Sequence, residues 1–585
     1  MWGRACFVLI AAVLFSAAAL AKPNKLSPDL QKNLADRASR HSSGSTASGS
    51  MDVIVQFKHP VTASDHAKVT GRGGKLRGEL KSVWGGAYTV PVSAFNDLAA
   101  DPDVAYISPD RPLYSTSNGS PTPALDYHAE SVNAPAAWTQ GLTGSGIGVA
   151  VIDSGISSSS DLQSNNGNSG ILGANFVGGL STNANDQYGH GTHVAGIIAG
   201  TGAASHGPNY FYTFKGIAPN VNLIDLRVLD QNGVGTDSQV IQAIEAAIYL
   251  KNVLNIRVIN LSLGRPVYES YTQDPLCQAV EQAWKAGIVV VVAAGNDGRD
   301  NSMNTDGYGT ISAPGNDPYV ITVGAMNTLG SANPAGVVPA SYSSKGPTII
   351  DHVVKPDIVA PGNSIISLYA PWLTLAQEYP GNEVPASLYQ KNGNGKSGTY
   401  FMLSGTSMAT PMVSGAVADM LQQNPSLTPD QVKARLMKTA SKNLIPYSTA
   451  TDPTTGVTYN MQADIFTVGA GYLNIQAALA STDLAPAAAG SAMSPTVTQN
   501  SQGNIVLVNG SSAIWGNTVL WGTTVVWGTS VLNGVDPSGE SVLWGSSGVW
   551  GSNSLQGYTV LWGTTVLWGT STATPDAASA VYGDN

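Results

Sequence analysis

Three short segments carry groups that could act on one carbonyl. Val151-Ile152-Asp153-Ser154-Gly155 offers a carboxylate, Gly189-His190-Gly191-Thr192-His193-Val194-Ala195-Gly196 an imidazole, and Ser404-Gly405-Thr406-Ser407-Met408-Ala409-Thr410-Pro411 a hydroxyl. A serine hydroxyl becomes a useful nucleophile only when a neighbouring imidazole takes its proton, and that imidazole needs a carboxylate to hold its tautomer. Asp153, His190 and Ser407 fill these roles, and acyl transfer is the chemistry they support. Each alone has an ordinary structural use. Asp-Ser-Gly is a common turn, and a serine that opens a helix is commonly its N-cap. His190 and His193 also form a His-x-x-His pair that could hold a metal, although no adjacent Glu or third ligand cluster extends it.

The Asp, His, Ser order, the glycine-rich surroundings, Ala293-Ala294-Gly295-Asn296 and Lys355-Pro356-Asp357-Ile358-Val359-Ala360-Pro361-Gly362 together resemble the subtilase (peptidase S8) family in sequence and in order. The resemblance implies a subtilisin-like serine endopeptidase. It implies that Asp153 orients the base, His190 serves as general base and then acid, Ser407 attacks, and Asn296 donates to the oxyanion. Read without the family, Asn296 is equally a turn residue after Gly295. In subtilisin, loss of such a donor costs about 10²–10³ in rate.

The same resemblance implies substrate binding along Gly233-Val234-Gly235 and Ser262-Leu263-Gly264, two segments that pair with an extended peptide from both sides. Main-chain pairing supplies affinity, and pockets for alternate side chains supply preference. Leu263 and Gly264 imply an open, apolar first pocket and large hydrophobic residues before the cut. Arg265 beside that wall departs from the pattern, and plain strand and turn is the alternative. No cofactor is expected for the chemistry. Asp161 stands near the position of one calcium ligand in some relatives, whereas 202–214 lacks their Asn-rich turn, so structural calcium is left open.

These residues need a scaffold. Short Val- and Ile-rich runs at 147–152, 221–228, 258–261, 288–292 and 319–323 predict buried parallel strands. Helical patterns at 190–199, 238–250, 276–285 and 407–421 lie between and after them. The expected class is α/β, a mainly parallel sheet with helices on both faces. Asp153 and Asn296 then fall at carboxyl ends of strands, where such sheets bind ligands. Pro411 is expected in the first turns of its helix, where missing donors are tolerated. The stretch 363–402, with Tyr369, Trp372, Tyr379, Tyr389 and Tyr400, builds either an extra cleft wall or a surface insertion.

A chain of 585 residues exceeds what one core usually organises. Residues 1–21 have the pattern of a secretory signal: Arg4, an apolar run over 5–20, and Ala19-Leu20-Ala21. That run is shorter than the roughly 20 residues a spanning helix needs. A secreted, extracellular protein is expected. Polar residues 22–50 are expected as a flexible linker and 571–585 as a tail. Alternating strand and helix signals over 51–114 predict a small α+β, ferredoxin-like domain resembling an inhibitory subtilase propeptide. Its removal is expected to follow a cut after Tyr114, leaving a catalytic domain at 115–480.

Charged residues are only 11% of the chain, against about 25% typically. The net charge of −10 disfavours nucleic acid or an anionic membrane as partner, since both call for clustered Lys and Arg. The expected partners are protein or peptide substrates and the chain's own propeptide. Cys6 would leave with the signal, so Cys277 would be a lone thiol, expected as a small buried hydrophobe.

After a linker at 481–500, residues 501–570 repeat a Trp-Gly hexapeptide. Trp515, Trp521 and Trp527, then Trp544 and Trp550, then Trp562 and Trp568 stand six apart within each group. An even period puts every tryptophan of a strand on one face. The repeat forms either the core of a small β-rich module or an aromatic ladder that contacts a polymer or surface. Two rival readings of the whole chain remain: a surface protein that uses the protease domain as scaffold, and a processing protease with few partners.

Overall fold

The computed structural model describes residues 25–40, 49–115, 118–119, 126–162, 171–302, 304–452, 455–499, 505–508, 526–527, 530–531 and 541–542. An eight-stranded sheet organises the catalytic unit. From one edge the order is Val338–Pro339, Ile321–Asn327, Val289–Ala293, Ile256–Leu261, Gly148–Asp153, Asn222–Arg227 and Leu172–Asn175, with Ile358–Pro361 also pairing with Ile321–Asn327. All pairs are parallel except that to Val338–Pro339. Val289–Ala293 reads Val-Val-Val-Val-Ala and is buried throughout, because strands covered on both faces have no polar side.

The expected helices are present as His190–Ala199, Asp237–Leu254, Pro275–Lys285 and Thr406–Gln423. Asp274 caps the third by accepting from Leu276 N, and Pro275 follows at a position that needs no donor. Cys277 is buried in that helix, and burial pushes its thiol well above the usual range.

Ahead of the catalytic unit stands a four-stranded antiparallel sheet, ordered Lys75–Leu80, Gly85–Pro91, Ser50–Phe57 and Val104–Pro109. With the helices Ala63–Thr70 and Phe95–Ala100 it encloses Val53, Val55, Phe57, Tyr88, Val90 and Leu98. Ile54, Leu80, Val83 and Ala87 belong instead to the catalytic core, so the module is packed on that unit. Polar contacts fasten it. Glu245 Oε1 accepts from Ser82 N and Oγ at 2.7 Å each, and Gln56 Nε2 donates to Gln278 Oε1 at 2.7 Å.

Parts of the two expected linkers are folded. Within 22–50, Pro28–Arg40 is a helix, and Leu30 is fully buried in the module's core. Leu26, Leu30 and Leu34 recur every fourth residue and pack there, a stripe that the polar composition of the segment conceals. Within 481–500, Ala492, Ser494 and Val497 are buried. Lys433 Nζ donates to Ser494 Oγ at 2.8 Å and Val354 N to Pro495 O at 2.8 Å, which ties this segment to the catalytic unit.

The 363–402 stretch folds as an antiparallel sheet of Ile365–Leu368, Lys396–Ser404 and Glu383–Pro385. It leans on the loop ahead of His190, where Thr374 N donates to Gln187 O at 3.2 Å and Leu375 N to Tyr188 O at 2.9 Å. The signal pattern at 1–21 and most of the tryptophan repeat lie outside the described residues. Among those described, no helix is long and apolar enough to cross a membrane.

Candidate active site

Asp153 ends the Gly148–Asp153 strand at the centre of the sheet. The chain then turns through Gly155 at φ 106°, where a Cβ would come within 2.3 Å of the Ala184 carbonyl oxygen. His190 opens its helix, and its Nδ1 lies 2.7 Å from Asp153 Oδ1. A carboxylate opposite Nδ1 holds the proton there and leaves Nε2 as an acceptor. His190 Nε2 is buried and makes no hydrogen bond.

Asp186 positions both strand end and helix start. Its Oδ1 accepts from Ser154 Oγ, Tyr188 N and Gly189 N at 2.9 Å each, and its Oδ2 accepts from Thr192 N at 3.0 Å and Thr192 Oγ1 at 2.6 Å. Asp186 stands outside the three motifs and is not marked by them. An Asp that accepts from its own backbone two residues on, as Asp186 does from Tyr188 N, is the turn pattern that could have found it.

Ser407 lies in the first turn of Thr406–Gln423. Its Oγ donates to the Ser262 carbonyl at 2.9 Å, and Ser262 Oγ donates to the Ser407 carbonyl at 2.9 Å. Pro411 explains the second bond. It sits past the orphan donors of the first turn, so its missing N–H removes the partner that Ser407 O would have in a regular helix. Ser262 Oγ fills the gap. Asn260 Nδ2 donates to Ser262 Oγ at 3.0 Å, and Asn260 Oδ1 accepts from Ser414 Oγ at 2.8 Å, which closes the brace.

Asn296 follows the Val289–Ala293 strand and Gly295, whose φ is 106° and whose Cβ would meet Ser312 Oγ at 2.3 Å. Asn296 Oδ1 accepts from Thr406 N and Thr406 Oγ1, each at 3.0 Å. Two donors on one side fix which end of the amide is oxygen and turn the NH₂ group the other way. Sequence reading alone misses Thr406 as the residue that orients it.

The expected binding segments flank a strand from the chain itself. Pro112–Ser115 runs antiparallel between Val234–Thr236 and Leu263–Gly264. Tyr114 faces Val234 and Gly264, Leu113 faces Gly235, and Ser115 faces Leu263. Ser115 N donates to Gly233 O at 3.1 Å. Leu113 is fully buried. Arg265, the departure beside the pocket wall, turns its guanidinium into Asp237 and Asp274, with Nε–Oδ1 2.8 Å and Nη2–Oδ1 2.7 Å.

Other titratable groups have structural places. Burial pushes His193 down to about 3, which keeps it neutral, and its Nε2 lies 3.1 Å from the Phe401 carbonyl. Burial also raises Asp225 well above the carboxylate range, while its Oδ2 accepts from Ile156 N at 2.8 Å. Asp161 is engaged by protein donors. Its Oδ1 accepts from Ala204 N at 2.7 Å and its Oδ2 from the Tyr400 hydroxyl at 2.8 Å.

Comparison with known proteins agrees with this geometry. Residues 144–471 match the peptidase S8 family, described as the subtilase family. The chain is 41% identical over 309 residues to the serine protease AprX of Bacillus subtilis, covering 52% of this chain and 63% of that protein. It is 37% identical over 392 residues to subtilisin E of the same organism, covering 66% and 84%. Among solved structures, fervidolysin from Fervidobacterium pennivorans, a keratinolytic enzyme related to subtilisin, superposes with a TM-score of 0.54 at 22% identity. That match covers 76% of this chain and 63% of fervidolysin, and it speaks for the fold. The chain belongs to the subtilase family of subtilisin-like serine endopeptidases.

Proposed function

We propose that this subtilase is exported as a self-inhibited precursor, frees itself by cutting its own chain, and then hydrolyses other proteins. One observation carries the reading: Pro112–Ser115 lies between Val234–Thr236 and Leu263–Gly264 as a substrate strand would. The module at 51–114 acts as the inhibitory propeptide, and the 25–40 segment belongs to it. Export rests on the pattern of residues 1–21.

In the reaction, the Ser407 hydroxyl leaves the Ser262 carbonyl, passes its proton to His190 Nε2 and attacks the carbonyl carbon. Asp153 stabilises the imidazolium that forms, and the NH₂ group of Asn296 stabilises the oxyanion. His190 returns the proton to the departing amine as the C–N bond breaks, leaving an ester on Ser407. Water, deprotonated by His190, then releases the acid. Every step uses side chains of this protein.

The register supports a cut two residues beyond the expected Tyr114–Ser115 bond. Ser115 faces Leu263, and the neighbouring Ser262 holds the Ser407 hydroxyl on its carbonyl, which favours cleavage after the residue that follows Ser115. Thr116 is then the acylated residue. The preference for apolar side chains rests on the buried Leu113, three residues earlier.

Intact-mass analysis of the expressed precursor tests this. Wild type loses a fragment ending at Thr116, whereas Ser407→Ala stays full length. Equal processing of both would assign the cut to another protease.

A further inference from the structure

Arg111 extends the cleft-bound strand, since its carbonyl accepts from Asp237 N at 2.9 Å. Its guanidinium enters a cage built by the catalytic unit. Nη1 donates to Glu269 Oε1 at 2.7 Å and Nη2 to Glu269 Oε2 at 3.0 Å, a fork that matches the carboxylate edge to edge. The ring of Tyr268 lies beneath, 5.1 Å from Cζ to centroid, within reach of a cation–π contact. Arg111 is 3% exposed and Glu269 2%.

Two more groups complete the cage in the precursor. Asp29, on the Pro28–Arg40 helix, accepts from Arg111 Nε and Nη2 at 3.0 Å each, and the Tyr106 hydroxyl donates to Glu269 Oε2 at 2.9 Å. Both would leave with the N-terminal module. Tyr268 and Glu269 would stay, because their loop is braced within the catalytic unit: Ser270 Oγ donates to Asp351 Oδ1 at 2.6 Å and Tyr271 N to Asp351 Oδ2 at 3.0 Å. Maturation would thus leave a carboxylate and an aromatic face beside the cleft, shaped for a planar cation.

We infer that Tyr268 and Glu269 form a guanidinium subsite that selects protein substrates carrying arginine two residues before the apolar residue seated where Leu113 sits. The inference rests on the endopeptidase reading above. In the precursor Arg111 occupies the subsite as part of the chain itself; in the matured enzyme the substrate's arginine takes its place. Lysine fits less well, since a point charge cannot use the fork.

The test uses matured wild-type enzyme and fluorogenic peptides Xaa-Pro-Leu-Tyr-Ser-Thr-Ser, with Xaa arginine, lysine, alanine or citrulline, the uncharged near-isostere of arginine. Hydrogen bonds to a charged group predict kcat/KM for arginine about ten- to a hundredfold above citrulline. Lysine falls between, and the gap narrows as salt rises. In Glu269→Gln the arginine-to-citrulline ratio falls towards one. Equal cleavage of the arginine and citrulline peptides by wild type overturns the subsite and leaves the endopeptidase standing, as does a ratio that survives in Glu269→Gln. Failure to cleave any peptide overturns both. Should Glu269→Gln not mature, the wild-type comparison decides alone.

Discussion

Ser407 and Ser262 exchange hydrogen bonds in both directions: each hydroxyl donates to the other's backbone carbonyl at 2.9 Å. One bond holds the nucleophile off His190 Nε2, which is left without a hydrogen-bond partner. The other satisfies a carbonyl that Pro411 deprives of its helical donor. The start of the catalytic helix is therefore tied to the strand that would receive the substrate.

Ser262→Ala leaves the Ser407 carbonyl buried without its side-chain donor. The expected loss is about 1–3 kcal/mol of stability, measured by denaturant unfolding in a Ser407→Ala background that prevents self-digestion. Adding Pro411→Ala restores a backbone N–H and recovers part of that loss. A strictly additive double variant would mean that proline is not the reason for the contact.

Asp186→Asn replaces one acceptor oxygen by a donor in a site that supplies only donors. The shift reaches His190 through Gly189 and Thr192. Small displacements of reacting groups cost on the order of 10² in rate, so kcat should fall by about that factor with KM little changed. A fall confined to KM would place the role of Asp186 in binding.

Asp225 sets a pH dependence of stability. Burial raises its folded pKa above the unfolded value, so the folded state binds more protons across that window and stability falls as pH rises through it. Asp225→Asn removes the ionisable group. The variant should be more stable than wild type at neutral pH, and the advantage should shrink as pH drops towards the unfolded carboxylate range. Thermal melts of both proteins across pH check this, and an advantage that grows on acidification would reverse the assignment.

Calcium should gain nothing from Asp161. Millimolar calcium, or its removal with a chelator, should shift the melting temperature of wild type and Asp161→Asn by the same amount. A shift present in wild type and lost in the variant would make Asp161 a ligand despite its donors from Tyr400 and Ala204.

The central sheet is legible in the sequence because strands covered on both faces read as unbroken Val and Ile, as in Val289–Ala293. Asp153, His190 and Ser407 are legible because each stands in a motif at an element's end. The amide orientation of Asn296 is not, since it depends on Thr406, 110 residues away. The pairing of Arg111 with Glu269 likewise joins residues 158 apart. The Pro28–Arg40 helix and the 481–499 segment look like spacers because polar or Ala-Pro-Ser composition hides the few side chains that pack, Leu30 in one and Val497 in the other.

Covalent labelling of matured protein with a fluorophosphonate, followed by peptide mass mapping, tests the nucleophile assignment most directly. The account predicts a single adduct on Ser407, formed in step with the loss of peptide hydrolysis. Matured protein that hydrolyses peptides and loses that activity to the reagent while Ser407 stays unlabelled would contradict it.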